Sequence, residues 1–248
     1  MRHIMRLIFV RHAEPDYVHD SLTEKGFKEA EILVNRTKNW RPDEVYCSPM
    51  GRAQRTMEPS LHNWDKEGIY PKEKAVTYEW LQEFHYRIED PQVGGERIAW
   101  DLMPEYFCAS DELHNKDKWD KTSFMQYGEI EKHYNEVKEG LNTLLKEHGY
   151  VNRGDGFFNV EKHSDDTLVF FCHFGITSVI VGYLLGIAAP ALWQGFFMAP
   201  TAVTVLNSEE REENKAAFRV QMFGDASHLP ANNENISQSG YFAEMFQG

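Results

Sequence analysis

Twice in this sequence a run of β-forming residues stops at a histidine. Leu7-Ile8-Phe9-Val10 leads into Arg11-His12, and residues 167–172 lead from Thr167 through Cys172 into His173. A strand without polar alternation has to be covered on both faces, which is the position of a strand inside a sheet flanked by helices. Helical signals follow both runs. Thr23 is placed to cap a helix reaching about residue 38, with Phe27, Ala30 and Val34 on one face at i, i+3 and i+7. A second helix follows His173 to about Gly186.

The remaining elements fit the same plan. Short strands are expected over 44–47 and 76–78, and Ser48-Pro49 turns the chain into a helix over about 51–62. Ile130, Tyr134, Val137, Leu141 and Leu144 stripe one face of a helix over 129–148 that Gly149 ends. Residues 151–166 read as an exposed loop or hairpin, 202–206 and 218–223 as the last two strands, and the Asn-, Ser- and Gly-rich tail after Pro230 as peripheral or partly disordered. Residues 85–123 show no clean period and read as an insertion of short helices covering one side of the core. With 248 residues, a single domain carrying this insertion is expected. Strands separated by helices predict a three-layer α/β/α sandwich with a mostly parallel sheet. Ligands of such sheets bind beyond the carboxyl ends of the strands, where both histidines fall.

Composition narrows the partners. The net charge of −13 disfavours nucleic acid and anionic membranes. Any anionic substrate must be drawn in by a few local arginines. The apolar run at Leu7–Val10 is too short for a signal peptide, and the stretch over 179–193 is broken by Pro190, so a soluble, cytoplasmic protein is expected. Cys47, Cys108 and Cys172 show no metal or redox spacing and read as free thiols on small buried side chains.

Three segments carry chemistry. In Arg11-His12-Ala13-Glu14, a neutral imidazole beside an arginine suits attack on phosphorus, because nearby positive charge disfavours the imidazolium. In Ser48-Pro49-Met50-Gly51-Arg52, a new helix N-terminus offers amides to an anion and Arg52 sits in its first turn. The third is His173, where a buried strand turns into a helix. Taken singly, each also reads as a solvated pair, a plain helix start or a core histidine.

Taken in order, these segments resemble the histidine phosphatase superfamily, the phosphoglycerate mutase-like proteins. Arg11-His12-Ala13-Glu14 is similar to the family's R-H-G-E, and Leu22-Thr23-Glu24-Lys25-Gly26 to its L-T-x-x-G. Ser48 through Thr56 is similar to S-P-x-x-R-A-x-Q-T, Leu81-Gln82-Glu83 to L-x-E, and Gly224 through Leu229 to a common tail. The resemblance implies that His12 takes the phosphoryl group. It implies that Arg11, Arg52 and His173 surround the phosphate oxygens, with His173 also catalytic, and that Glu83 is the general acid and then the base. No metal and no cofactor is implied. The activity implied is hydrolysis of a phosphate monoester through a phosphohistidine intermediate, on a small phosphorylated metabolite or another phosphomonoester. A phosphomutase and a non-catalytic phospho-ligand-binding protein are the alternatives. A mutase needs further cations for a carboxylate or second phosphate, and the insertion offers only Arg87, Arg97, Lys116, Lys118 and Lys121 against many acids.

The sequence departs from the family at several points. Ala13 replaces a glycine, Val18 stands where many members carry a phosphate-binding asparagine, and Phe174 stands where glycine is common. Glu79 is a rival to Glu83. His85 reads as a surface residue and His228 as a brace of the site. Trp193, Phe196, Phe197 and Met198 read as core packing, with a pocket wall or an oligomer contact as the alternative.

Overall fold

The computed structural model describes residues 4–247. Eight strands form the central sheet: β1 (Arg6–Arg11), β2 (Glu44–Cys47), β3 (Val76–Thr77), β4 (Tyr150–Asn152), β5 (Phe158–Val160), β6 (Thr167–Cys172), β7 (Val203–Glu212) and β8 (Lys215–Asp225). Their order across the sheet is β3-β2-β6-β1-β7-β8-β5-β4. The principal helices are α1 (Glu24–Thr37), α2 (Gly51–Lys66), α3 (Ile130–Glu147) and α4 (Phe174–Leu185).

The two apolar runs are the adjacent parallel strands β1 and β6 at the middle of this sheet. Their side chains alternate between two cores, as the pleat requires. Leu7, Phe9, Leu168 and Phe170 pack with Val137, Leu141, Ile176 and Ile180 of α3 and α4. Ile8, Val10, Val169 and Phe171 pack with Leu33 of α1 and with Leu61 and Trp64 of α2. This is the three-layer sandwich that two-sided apolar strands demand.

The sheet is mixed rather than mostly parallel. Pairs β1–β6, β6–β2 and β2–β3 are parallel. Pairs β1–β7, β7–β8, β8–β5 and β5–β4 are antiparallel. The cause is connection length. β7 and β8 are joined through Glu213 and Asn214, with Asn214 at φ +54°. A link this short joins only antiparallel neighbours. The charged stretch over 208–212, expected between two short strands, is instead the continuation of β7, and the segment around 151–160 is a hairpin that joins the sheet.

Thr23 caps α1 as expected, its hydroxyl accepting from the Gly26 amide. The buried face of α1 is Gly26, Glu29, Ala30, Leu33 and Thr37. Phe27, expected on that face, is 47% exposed, and the helix sets Gly26 against the strand-end loop at Glu14 instead. A Cβ on Gly26 would lie 2.2 Å from the Glu14 carbonyl oxygen. α2 runs one turn beyond its expected end, while α3 buries all five residues of its stripe.

The segment over 85–123 holds short helices at Pro104–Ala109 and Asp111–His114, and also a hairpin of Arg87–Glu89 with Glu96–Ile98 that sequence reasoning missed. Ile88, Leu102, Leu113 and Trp119 carry it into the same core as α3 and α4. Cys108 is exposed, against the expectation of a buried thiol, whereas Cys47 and Cys172 are buried. Among the described residues, no helix is long and apolar enough to cross a membrane.

Candidate active site

β1 delivers His12 to the carboxyl edge of the sheet, its amide continuing the ladder to the Cys172 carbonyl at 2.9 Å. The ring is fixed by a 2.7 Å contact between Nδ1 and the Ala13 carbonyl oxygen. A carbonyl only accepts, so Nδ1 carries the hydrogen and Nε2 keeps its lone pair. His12 is 2% exposed. Burial, then Arg11 and Arg52, pushes its pKa well below the ordinary 6.5. The site therefore holds a neutral imidazole with one anchored nitrogen and one free nitrogen.

The backbone around His12 is braced from two sides. Thr56 of α2 accepts from the Ala13 amide at 2.9 Å and donates to the Arg52 carbonyl at 2.8 Å. On the other side the Thr201 amide donates to the His12 carbonyl at 3.2 Å. The Thr201 hydroxyl donates to the Pro200 carbonyl and accepts from His228 Nε2 at 2.9 Å. His228 is held to a pKa of about 4 by burial and then by Arg36, so it is neutral, donating from Nε2 and accepting from Arg36 at Nδ1. This is the bracing role expected of His228.

His173 begins α4 and stands with its ring 5.1 Å from that of His12. Its Nε2 lies 2.7 Å from the Ser48 hydroxyl, which also accepts from the Met50 amide. With the Ser48 hydroxyl donating to Nε2, the hydrogen of a neutral His173 resides on Nδ1. Burial, then His12, Arg52 and Arg11, sets the pKa of His173 well below 6.5.

Arg11 and Arg52 are 5% and 6% exposed. Arg11 donates through Nη1 to the Met198 carbonyl and through Nη2 to that of Ser239. Burial lowers the pKa of Arg11 from its ordinary value. Arg52 bonds Asp20 Oδ1 at 2.7 Å. Three buried nitrogens of this cluster, Arg11 Nε, Arg52 Nε and His173 Nδ1, have no hydrogen-bond partner. An unmet buried donor costs about 1–3 kcal/mol. An anion accepting from several of them offsets that cost.

Glu83 is 8% exposed. Its Oε1 accepts from the Phe84 amide at 2.8 Å and from the Ile176 amide of α4 at 3.1 Å. The structure separates its rival: Glu79 is exposed and faces a different cavity of about 260 Å³, beside Trp80, Tyr86 and His133. All five expected site residues, Arg11, His12, Arg52, Glu83 and His173, are thus brought together. His85 is exposed at the margin, its Nδ1 2.6 Å from the Glu83 carbonyl oxygen. Val18 is 87% exposed.

Other features were not foreseen. Asp20 occupies the N-terminus of α2, taking the Gly51 amide at 2.6 Å as well as Arg52, so the amide expected to meet an anion already has a carboxylate. Burial opposes ionisation of Asp20, but Gly51 and Arg52 outweigh it and lower its pKa. The tail, expected at the periphery, returns to the site: the Ser237 hydroxyl donates to Glu14 at 2.6 Å and Tyr241 stacks on Phe197 at 4.5 Å. Its Ser and Gly composition looked solvated because its partners, Glu14 and Arg11, lie more than 200 positions away. Phe197, expected in the core, lies 5.7 Å from the Arg11 guanidinium, and Phe196 is 50% exposed; Trp193 and Met198 are core residues.

The histidine phosphatase superfamily (branch 1) matches residues 7–90. No curated protein sequence matches it. Among solved structures, it is similar to a phosphoserine phosphatase from Entamoeba histolytica crystallised with 3-phosphoglyceric acid. That match has 18% identity and a TM-score of 0.56, covering 91% of this chain and 99% of that one. It is also similar to a mycobacterial glucosyl-3-phosphoglycerate phosphatase, with 16% identity and a TM-score of 0.56, covering 90% and 100%. A third is YhfR of Bacillus stearothermophilus, with 18% identity and a TM-score of 0.53, covering 90% and 98%. At these identities the neighbours share the phosphoglycerate mutase-like fold.

Proposed function

We propose that this chain is a member of the histidine phosphatase superfamily, and a phosphatase that hydrolyses a phosphate monoester through a phosphohistidine on His12. The observation that carries this reading is the state of the His12 ring. Its Nδ1 is tied to the Ala13 carbonyl, and the buried ring is kept neutral by burial and by Arg11 and Arg52, with the His173 ring 5.1 Å away. The Nε2 lone pair attacks phosphorus and the bond from phosphorus to the ester oxygen breaks. Arg11, Arg52 and His173 take the charge on the equatorial oxygens. Glu83 protonates the departing alkoxide. Since Oε1 already accepts two amide hydrogens, the transferred proton is carried on Oε2. In the second half, Glu83 takes a proton from water, the water oxygen attacks phosphorus and the phosphorus–nitrogen bond breaks. Inorganic phosphate leaves and neutral His12 is restored.

The mutase alternative needs cations beyond the two arginines. Four of the insertion's five are engaged elsewhere: Arg97 with Asp90 and Asp101, Arg87 with Glu96, Lys116 with Asp117, and Lys121 with Glu131. This supports hydrolysis. The test is an alkaline quench during turnover of a phosphate ester, followed by mass spectrometry of the His12 peptide. A phosphate adduct on His12 is expected, absent in His12→Ala, which should release no phosphate. Turnover surviving in His12→Ala refutes the reading.

A further inference from the structure

The insertion sends one side chain to the acid. A Cβ built on Gly175 would lie 2.6 Å from Glu83 Oε1, 2.9 Å from Trp100 Cδ1 and 3.2 Å from Trp100 Nε1. The indole edge and the carboxylate therefore converge on one point at the start of α4. Trp100 Nε1 is buried and has no hydrogen-bond partner. The residue is held from behind, since Gln194 donates to the carbonyls of Trp100 and Leu102. Its ring meets Phe174 edge-on at 6.4 Å, and Phe174 in turn lies 6.5 Å from Phe197, the ring beside Arg11. On the far side the Tyr17 ring lies 5.5 Å from the Arg52 guanidinium. Aromatic faces thus border the phosphate cluster where the alcohol portion of an ester must lie.

Charge points the same way. Arg11 and Arg52 are the charged side chains that act most on His12, and they act on His173 together with His12 and His85. Both arginines are needed by the phosphate, and Arg52 is already shared with Asp20. A second anionic group on the substrate would meet Glu83, which acts on Arg11, and Asp20, which holds Arg52.

Building on the phosphatase reading of the same site, we propose that Trp100 is a specificity-determining residue. Its indole, set against Glu83, forms with Phe174 and Phe197 a slot for an uncharged, flat apolar alcohol, so that aromatic-bearing phosphomonoesters are favoured over carboxylate-bearing ones. Gly175 is small because the indole and the acid both need its space. Offset and edge-on ring contacts add about 0.5–1.5 kcal/mol each beyond the area they bury. Removing one wall of such a slot therefore lowers affinity for an aromatic group by roughly tenfold.

The experiment compares benzyl phosphate, methyl phosphate and 3-phosphoglycerate on the full chain, on Trp100→Phe and on Trp100→Ala. Benzyl and methyl alcohol are similarly acidic, so the first pair differs in the ring and not in the leaving group. The wild type should prefer benzyl phosphate in kcat/KM over both others. Trp100→Ala should lose roughly tenfold on benzyl phosphate and little on methyl phosphate, with Trp100→Phe in between. An equal loss on the two esters makes Trp100 merely structural and overturns the proposal, as does a wild type that prefers 3-phosphoglycerate. Binding of benzylphosphonate and methylphosphonate, measured calorimetrically, separates this from the phosphatase reading. If no ester is hydrolysed, that reading falls, yet tighter benzylphosphonate binding that disappears in Trp100→Ala still supports the slot. Equal binding of the two phosphonates overturns it.

Discussion

Replacing Gly175 by alanine adds one methyl group at the point where Glu83 and Trp100 meet. In an ordinary helix this exchange stabilises by about 1 kcal/mol, since glycine has more backbone freedom to lose. Here the methyl would lie 2.6 Å from Glu83 Oε1, so the carboxylate must retreat by about 0.8 Å to reach ordinary 3.4 Å contact. Oε1 is held by the Phe84 and Ile176 amides, the latter at 3.1 Å from α4 itself, and the retreat stretches that second bond beyond hydrogen-bond length. Overpacking of this kind costs about 1–3 kcal/mol, partly offset by the helix gain, so the net loss of stability should be about 0–2 kcal/mol. The catalytic effect should be far larger, because a misplacement near 1 Å costs roughly 10²-fold in rate. Kinetics on an alkyl and an aryl phosphate, measured beside a thermal melt, checks both halves. The alkyl ester should suffer most, since its alkoxide needs the proton and a phenolate barely does. A Gly175→Ala enzyme that folds and keeps its alkyl phosphatase rate within about threefold refutes the placement of the acid.

Glu83→Gln should slow alkyl phosphates by about 10²–10⁴ and aryl phosphates much less; equal slowing on both would remove Glu83 from the role of acid. His228 has its folded pKa at about 4, below the ordinary 6.5, so the unfolded chain takes up its proton first. Its contribution to stability is then complete above about pH 6.5 and is lost as pH falls toward 4, by about 3 kcal/mol in all. Urea unfolding at pH 7.5 and 4.5 should show a smaller decline for His228→Gln than for the wild type, and parallel declines would contradict the assignment. Asp20→Asn keeps an acceptor for the Gly51 amide but removes a half-exposed negative charge from Arg52. Vanadate should bind it about fivefold more tightly, reflecting about 1 kcal/mol, and unchanged or weaker binding would place the anion away from Arg52.

The amino-acid sequence determined whatever depends on near neighbours along the chain. Apolar runs at 7–10 and 168–172 require cover on both faces, so they become central strands, and the residues at their carboxyl ends emerge at one edge. His12, Arg52 and His173 could be placed there because each adjoins a strand end or a helix start that local signals mark. Glu83 could be matched to a motif, but its burial against α4, where Glu79 is exposed, came only with the Ile176 amide, 93 positions away. The sheet's mixed character turned on where β7 ends, and the charged residues 208–212 hid it: pairing with β8 carries the strand through a segment whose composition reads as loop. Asp20, Trp100 and the tail residues Ser237 and Ser239 carry no local mark at all. An acid, an indole or a serine acquires a role only from the group that folding sets beside it. Those partners, Arg52, Gly175, Glu14 and Arg11, are brought near by packing between layers, which no periodicity in the chain encodes.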